Sequence, residues 1–112
     1  MSLPADLDGG AVYLLDKPAG MTSRAASGLV ARAWCPIGRH GHAGTLDPSA
    51  SGVLPVLLGR ATRLSRWLTG HTKRYRFTLV LGASTDTGDD EGRVTAAGDP
   101  AAVTRNMVVG AL

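Results

Sequence analysis

Residues 52–59 read GVLPVLLG, an apolar run closed at both ends by glycine. A run this short cannot cross a membrane as a helix, which takes about 20 consecutive apolar residues. Its bounding glycines mark it as a strand, and the rest of the chain has to supply whatever covers it. Pro55 has no N–H to give to a ladder, so the run is expected at a sheet edge or as an irregular strand. The chain has 112 residues. That is enough for one domain, which at this size buries roughly two-thirds of its unfolded surface.

The neighbouring segments alternate between strand and helix signals. AVYLLD (11–16) reads as a short strand stopped by Pro18 and Gly20. Thr22 or Ser23 caps a helix in which Ala25, Ala26, Leu29, Val30, Ala33 and Trp34 share one face, and Pro36 and Gly38 end it. A glycine-rich loop over 40–52 leads into the apolar run. RATRLSRWL (60–68) predicts a helix with Ala61, Leu64, Trp67 and Leu68 turned inward and Arg60, Arg63 and Arg66 outward. In RYRFTLVLG (74–82), Tyr75, Phe77, Leu79 and Leu81 alternate with Arg74, Arg76 and Thr78, which predicts a strand. The polar STDTGDDEG then leads into RVTAA (93–97) as the second arm of a long-looped hairpin, and a last helix is expected from about Pro100, with Val103, Met107, Val108 and Leu112 as its apolar positions. The fold class expected is α+β: a mixed, largely antiparallel sheet with flanking helices.

Charge is distributed unevenly. Between Lys17 and Arg76 there are ten basic residues and one acidic residue, Asp47, a local net of +9 inside a chain whose formal net charge is +3. A patch of this density attracts phosphates by counterion release and long-range steering, so nucleic acid is the expected partner. The first twenty residues show no basic stretch followed by an apolar run, so no signal peptide is expected. The lone Cys35 cannot close an internal disulfide, which makes the cytoplasm the default compartment.

The single acid of the basic segment lies in HGHAGTLDPSASG (40–52). Gly41, Gly44 and Gly52 allow backbone conformations that other residues resist, Pro48 fixes the position after Asp47, and Thr45, Ser49 and Ser51 offer short-range hydrogen bonds. One reading is an Asx-type turn in which the Asp47 carboxylate accepts backbone N–H groups. The other is a carboxylate nucleophile or base, a role suited to the surrounding positive charge. His40, His42, Cys35 and Asp47 match no closed zinc pattern, so no metal is expected. The stretch is not a phosphate loop, for it lacks the terminal Gly-Lys-Ser/Thr. The acidic DDEG stretch (89–92) is expected to be solvated and not to bind calcium. Tyr75, flanked by Arg74 and Arg76, is either core packing or an aromatic that stacks on a base while its neighbours hold phosphates.

Three collinear segments carry a family likeness. LLDKPAGMTS (14–23), GHAGTLDPSASGVLPVLLGRATRLSRWL (41–68) and KRYRFTLVLGASTDTGDDEG (73–92) together resemble the TruB-type tRNA pseudouridine synthases, a group that includes dyskerin-like relatives. The resemblance implies isomerisation of a uridine in the tRNA T-loop, at position fifty-five, to pseudouridine without metal or organic cofactor. It places the family's catalytic Asp on Asp47, its active-site Tyr on Tyr75, and its nucleotide-accommodating His on His42. Lys17 and Pro18 fall on the motif that supports the catalytic loop, where Gly41, Gly44, Thr45, Leu46, Pro48 and Gly52 complete the support. Arg60, Arg63, Arg66, Lys73, Arg74 and Arg76 are the expected RNA contacts. The chemistry breaks an N-glycosidic bond and rejoins the base through carbon. A carboxylate can attack C1′ or C6 or take a ribose proton, and the residues do not select among these.

The resemblance also divides the chain. Residues 1–10 are expected as an N-terminal extension and 11–112 as the N-terminal portion of a pseudouridine synthase catalytic domain that ends inside that domain. In the family, a later segment supplies an Arg partner for the catalytic Asp, and a C-terminal RNA-binding domain follows. This chain shows neither, so turnover by these residues alone is not expected. Two rival functions remain at this point: a non-catalytic RNA-binding module of the same fold, and a metal-dependent hydrolase using His40, His42 and Asp47.

Overall fold

The structure is a computed structural model that describes residues 9–34 and 38–112. The chain divides into two compact units, one through Lys73 and the other Arg74–Leu112. Both sheets are antiparallel and helices accompany them, so the chain is α+β.

In the first unit, strand β1 (Ala11–Lys17), helix α1 (Ser23–Trp34), strand β2 (His40–His42) and strand β3 (Gly52–Leu58) are followed by a 3-10 helix (Gly59–Leu64) and the short helix α2 (Ser65–Thr69). The sheet order is β1-β3-β2. β1 pairs with the whole of β3, Ala11 opposite Leu58 and Lys17 opposite Gly52, while β2 pairs only with its far end, His40 opposite Leu58 and His42 opposite Val56. Opposed residues share a face, so Tyr13, Leu15, Leu54, Val56 and Leu58 form one surface, and His40 and His42 extend it. Ala26, Val30 and Ala31 of α1 close over that surface to form the core, with Met21 and Leu46 packed at its margin. Leu54, Val56 and Leu58 are essentially inaccessible, and each contributes about 1.5–3 kcal/mol by leaving water.

β3 is therefore the central strand, not the edge that Pro55 predicts. Pro55 O accepts Ala43 N–H at 2.9 Å, so its carbonyl and its ring nitrogen both face the β2 side. β2 ends opposite Val56, one residue short of the proline. On that side the missing N–H leaves no strand partner without a donor, and the pairing with β1 is undisturbed. β2 itself is a strand where the sequence predicted only loop.

Other expectations change in detail. Thr22 caps α1, its Oγ1 accepting Ala25 N–H at 3.1 Å. The buried face of α1 is Ser23, Ala26, Ser27, Val30 and Ala31, whereas Ala25, Leu29, Ala33 and Trp34 are exposed. The stripe follows the spacing of three and four residues and takes in two serines, because Ser27 satisfies its hydroxyl locally on Arg24 O at 3.0 Å. The helix expected over 60–68 splits into the 3-10 helix and α2; Ala61 is buried, Leu68 half-buried, and Leu64 and Trp67 exposed. Gly10 has φ +82° and lies so close to the start of the 3-10 helix that a Cβ there would stand 2.4 Å from Ala61 N. Cys35 and Pro36 lie outside the described residues.

In the second unit, strands β4 (Ala83–Thr85) and β5 (Val94–Ala97) form a two-stranded hairpin, and helix α3 (Arg105–Ala111) follows. The strand predicted over 74–82 does not form: residues 74–81 carry no regular structure, and the first arm of the hairpin is β4. A ladder needs a neighbour, and among the described residues none pairs with 74–81. Tyr75, Phe77, Leu79 and Leu81 are accordingly exposed. The last helix starts at Arg105, not near Pro100, where Thr104 Oγ1 accepts Met107 N–H at 3.3 Å.

Candidate active site

The loop between β2 and β3 is held by backbone pins on either side of Asp47. Ser23 Oγ, 3% exposed at the first turn of α1, donates to Leu46 O and accepts Leu46 N–H, both at 2.9 Å. One residue beyond Asp47, Pro48 O accepts Gly20 N–H at 2.7 Å. Lys17 Nζ, fully buried at the end of β1, donates to Pro18 O at 2.9 Å, to Met21 O at 2.8 Å and to Pro48 O at 3.5 Å. A buried ammonium has to fill its three donor positions, and three carbonyls do so here without a carboxylate. The turn from β1 to α1 is thereby tied to the Asp47 loop.

The loop's other ends are fixed as well. Ala43 is buried, Gly44 has φ +79° and Gly52 has φ +137°, both in the region that favours glycine. His42 Nδ1 lies 2.7 Å from Gly44 O, and Ser65 Oγ at the start of α2 donates to His42 O at 3.5 Å. The stem of Lys73 passes the loop, 3.6 Å from where a Gly44 Cβ would stand. Its Nζ donates to Thr69 O and to His71 O.

Asp47 itself is exposed. The turn closes through its main chain, Ala50 N–H donating to Asp47 O at 3.1 Å, and among the described residues its carboxylate enters no hydrogen bond. The Asx-type reading, in which the side chain is spent on the turn, is thus not what the structure has. The backbone on both sides of the carboxylate is clamped while the carboxylate stays open to a ligand, which is the arrangement a nucleophile or base requires.

The structure gathers Lys17, Pro18, Gly41, His42, Gly44, Thr45, Leu46, Asp47, Pro48 and Gly52 around this loop, through the pins and strand ends just described. Arg60, Arg63 and Arg66 are exposed along the 3-10 helix and α2, and the Arg66 guanidinium stacks on Trp67 at 3.9 Å. Tyr75, Arg74 and Arg76 belong to the second unit and are exposed there. Ser23 and Gly20 hold the loop backbone, and the sequence does not point to either in that role. Ser23 looked like a helix cap, and its tie to Leu46 spans 23 positions of sequence. Among the described residues, no three His, Cys, Asp or Glu side chains gather as metal ligands, and no helix is long and apolar enough to cross a membrane.

In the second unit the acidic stretch forms a self-satisfied turn. Asp89 Oδ1 accepts from Thr87 Oγ1 at 2.6 Å and from Glu91 N at 3.1 Å, and Asp86 Oδ1 accepts Arg93 N–H at 2.8 Å. The Thr87 hydroxyl, followed by backbone N–H groups, holds the Asp89 carboxyl below the ordinary value of 3.8.

Comparison with known proteins gives the family. Residues 32–112 match the profile of the TruB family pseudouridylate synthase N-terminal domain. A protein of Syntrophotalea carbinolica named tRNA pseudouridine synthase B is 51% identical over 89 residues, 80% of this chain and 29% of that protein. Proteins of the same name from Symbiobacterium thermophilum and Geobacillus kaustophilus are 45% and 50% identical, covering 96% and 77% of this chain and 35% and 30% of their own lengths. The chain spans about a third of the length of these relatives. It belongs to the TruB family of pseudouridylate synthases.

Proposed function

We propose that this chain provides the Asp47 half of a tRNA pseudouridine synthase site that converts the uridine at position fifty-five of the T-loop to pseudouridine. The observation that carries this reading is the exposed Asp47 carboxylate, held between the pinned backbone of Leu46 and Pro48 inside a strongly basic segment. The reaction breaks the bond between N1 of uracil and C1′, turns the base, and forms a bond from C5 to C1′. The proton displaced from C5 leaves to solvent, and N1 takes up a proton in its place.

A base inside a folded T-loop is shielded, so the target nucleotide has to swing out to reach the carboxylate. Asp47 serves as nucleophile or base on the extruded nucleotide. His42, whose Nδ1 lies 2.7 Å from Gly44 O, borders the same loop and supports the displaced nucleotides. Tyr75 offers an aromatic surface for the base, and Arg60, Arg63, Arg66, Lys73, Arg74 and Arg76 bind phosphates. Lys17, Pro18, Ser23 and Gly20 position Asp47 without touching the substrate. The relatives extend well beyond the matched third, and we assign to that remainder the closure of the pocket and the orienting partner of the carboxylate. The reaction belongs in the cytoplasm, with tRNA.

The test replaces the corresponding third of the Syntrophotalea carbinolica relative with residues 11–112 of this chain. Tritium release from a T-stem-loop labelled at C5 of uridine should proceed in the chimera. Asp47→Asn should abolish it while leaving RNA affinity within a few-fold, because the amide keeps the shape and loses the nucleophile and base. Turnover by the Asp47→Asn chimera would remove Asp47 from the chemistry. Tight, specific RNA binding with no turnover in the unmutated chimera would favour a non-catalytic RNA-binding module.

A further inference from the structure

The outer face of α1 carries charge that neither the Asp47 loop nor the arginines after β3 use. Arg24, Gly28 and Arg32 recur every four residues and so form one stripe along the helix. Both arginines are exposed. Gly28 leaves the stripe bare between them, and Arg32 lies over the gap, its Nη1 only 3.7 Å from where a Gly28 Cβ would stand. A glycine inside a helix costs about 1 kcal/mol relative to alanine, and what it provides here is room.

That room is the floor of an open groove of about 650 Å³, bordered by Thr22, Arg24, Gly28, Leu29, Arg32 and His40. His40 reaches the groove from β2 because it lies opposite Leu58, on the sheet face that α1 covers. Among the described residues no carboxylate lines the groove, so two guanidinium groups, an imidazole and a hydroxyl face it without a resident counter-charge. Its position gives it an address. Thr22 is at one end, and the next residue, Ser23, holds both backbone groups of Leu46 beside Asp47. From Thr22 to Arg32 the helix rises about 15 Å at 1.5 Å per residue, the axial length of a few consecutive phosphates.

We propose that this groove is a second phosphate track, which takes the RNA backbone leading away from the nucleotide presented to Asp47. Arg24 and Arg32 each neutralise a phosphate, and half-exposed Leu29 offers an apolar wall for a ribose. The proposal takes its ligand, RNA, from the function proposed above, and the following experiment separates the two.

Binding of a fluorescent T-stem-loop to the chain is measured by anisotropy at several salt concentrations, for the unmutated protein and for the Arg24→Gln, Arg32→Gln double variant. Each phosphate contact contributes about 0.7–0.9 to the slope of log affinity against log salt, so the double variant should lose about 1.4–1.8 from that slope and bind several-fold more weakly at fixed salt. Gly28→Leu, which fills the groove and keeps both charges, should weaken binding in the same direction. Both arginines are exposed, so the melting temperature should stay unchanged. Unchanged slope and affinity in the double variant would overturn the track, and so would an affinity loss with an unchanged slope, which would place the arginines in packing. No binding by the unmutated chain would overturn it as well. A lowered slope in the variant, together with no tritium release from the chimera described above, would sink the proposed reaction and keep the track; normal release with an unchanged slope would sink the track alone.

Discussion

Leu54 and Phe77 are both large apolar residues in segments with strand patterning, yet Leu54 is 1% exposed and Phe77 is 65% exposed. The contrast runs through the two units. Up to Lys73, β3 has a strand on each side and a helix across one face, and the apolar alternation of β1 and β3 becomes a core. In Arg74–Leu112 no residue is buried, and only Gly82, Thr85, Gly92 and Val108 are even half-buried. The second unit owes its local order to polar ties instead: Thr85, Asp86, Thr87 and Asp89 bond among themselves and to the backbone of the hairpin turn. Periodicity specifies which side chains share a face, and burial requires a second surface to meet that face. The exposed Asp47 carboxylate sits in the unit that has one.

The sharpest way to break this contrast is to truncate one residue from each unit. Leu54→Ala should destabilise the first unit by about 2–5 kcal/mol through lost transfer energy and a cavity. Phe77→Ala should stay within about 0.5 kcal/mol, as exposed substitutions do. Hydrogen exchange resolved by segment reads the two units separately, and comparable losses of protection would show that the second unit has a core of its own.

A smaller effect sharpens the link between the core and the site. Ser23→Ala strands the N–H and C=O of Leu46 and should cost about 1–3 kcal/mol. In the chimeric enzyme it should also lower kcat more than it raises KM, since the Ser23 hydroxyl is bonded to the backbone of Leu46 beside Asp47. Equal kcat with normal stability would dismiss the pin. Smaller still, Gly28→Ala should raise stability by about 0.5–1 kcal/mol, because the new Cβ meets only Arg32 Nη1 at ordinary contact distance. A fall in melting temperature would mean that the helix surface at Gly28 is tighter than its neighbours indicate.

The least effect concerns the polar turn of the second unit. Asp89 is held below 3.8, so its contribution is fully present above that value and is lost as pH falls through the lower folded value. Exchange at Glu91 N–H, which Asp89 receives, should accelerate relative to the intrinsic rate across that acid range and not between neutral pH and pH 5. Asp89→Asn should remove the dependence.

Local chemistry sufficed for several features. The apolar alternation of 11–16, the Thr22 cap, the glycine-framed acid of the basic segment and the three family segments are all readable from adjacent residues, because each depends on interactions within a turn or a strand. Tertiary structure decided the rest. Pro55 could enter a central strand only because β2 stops one residue short of it. The buried face of α1 rotated toward Ser23 and Ser27 because a serine hydroxyl can be satisfied by Leu46 or by Arg24 O, a condition that helical periodicity does not contain. The alternating residues 74–81 found no neighbour and stayed out of a sheet, since the hydrogen bonds of a strand are made by another segment. The sequence by itself thus determined that Asp47 is the reagent candidate. Its clamping from both sides was decided by Ser23, Gly20 and Lys17, residues brought to the loop from 23 to 31 positions away by the packing of β1 and α1 on β3.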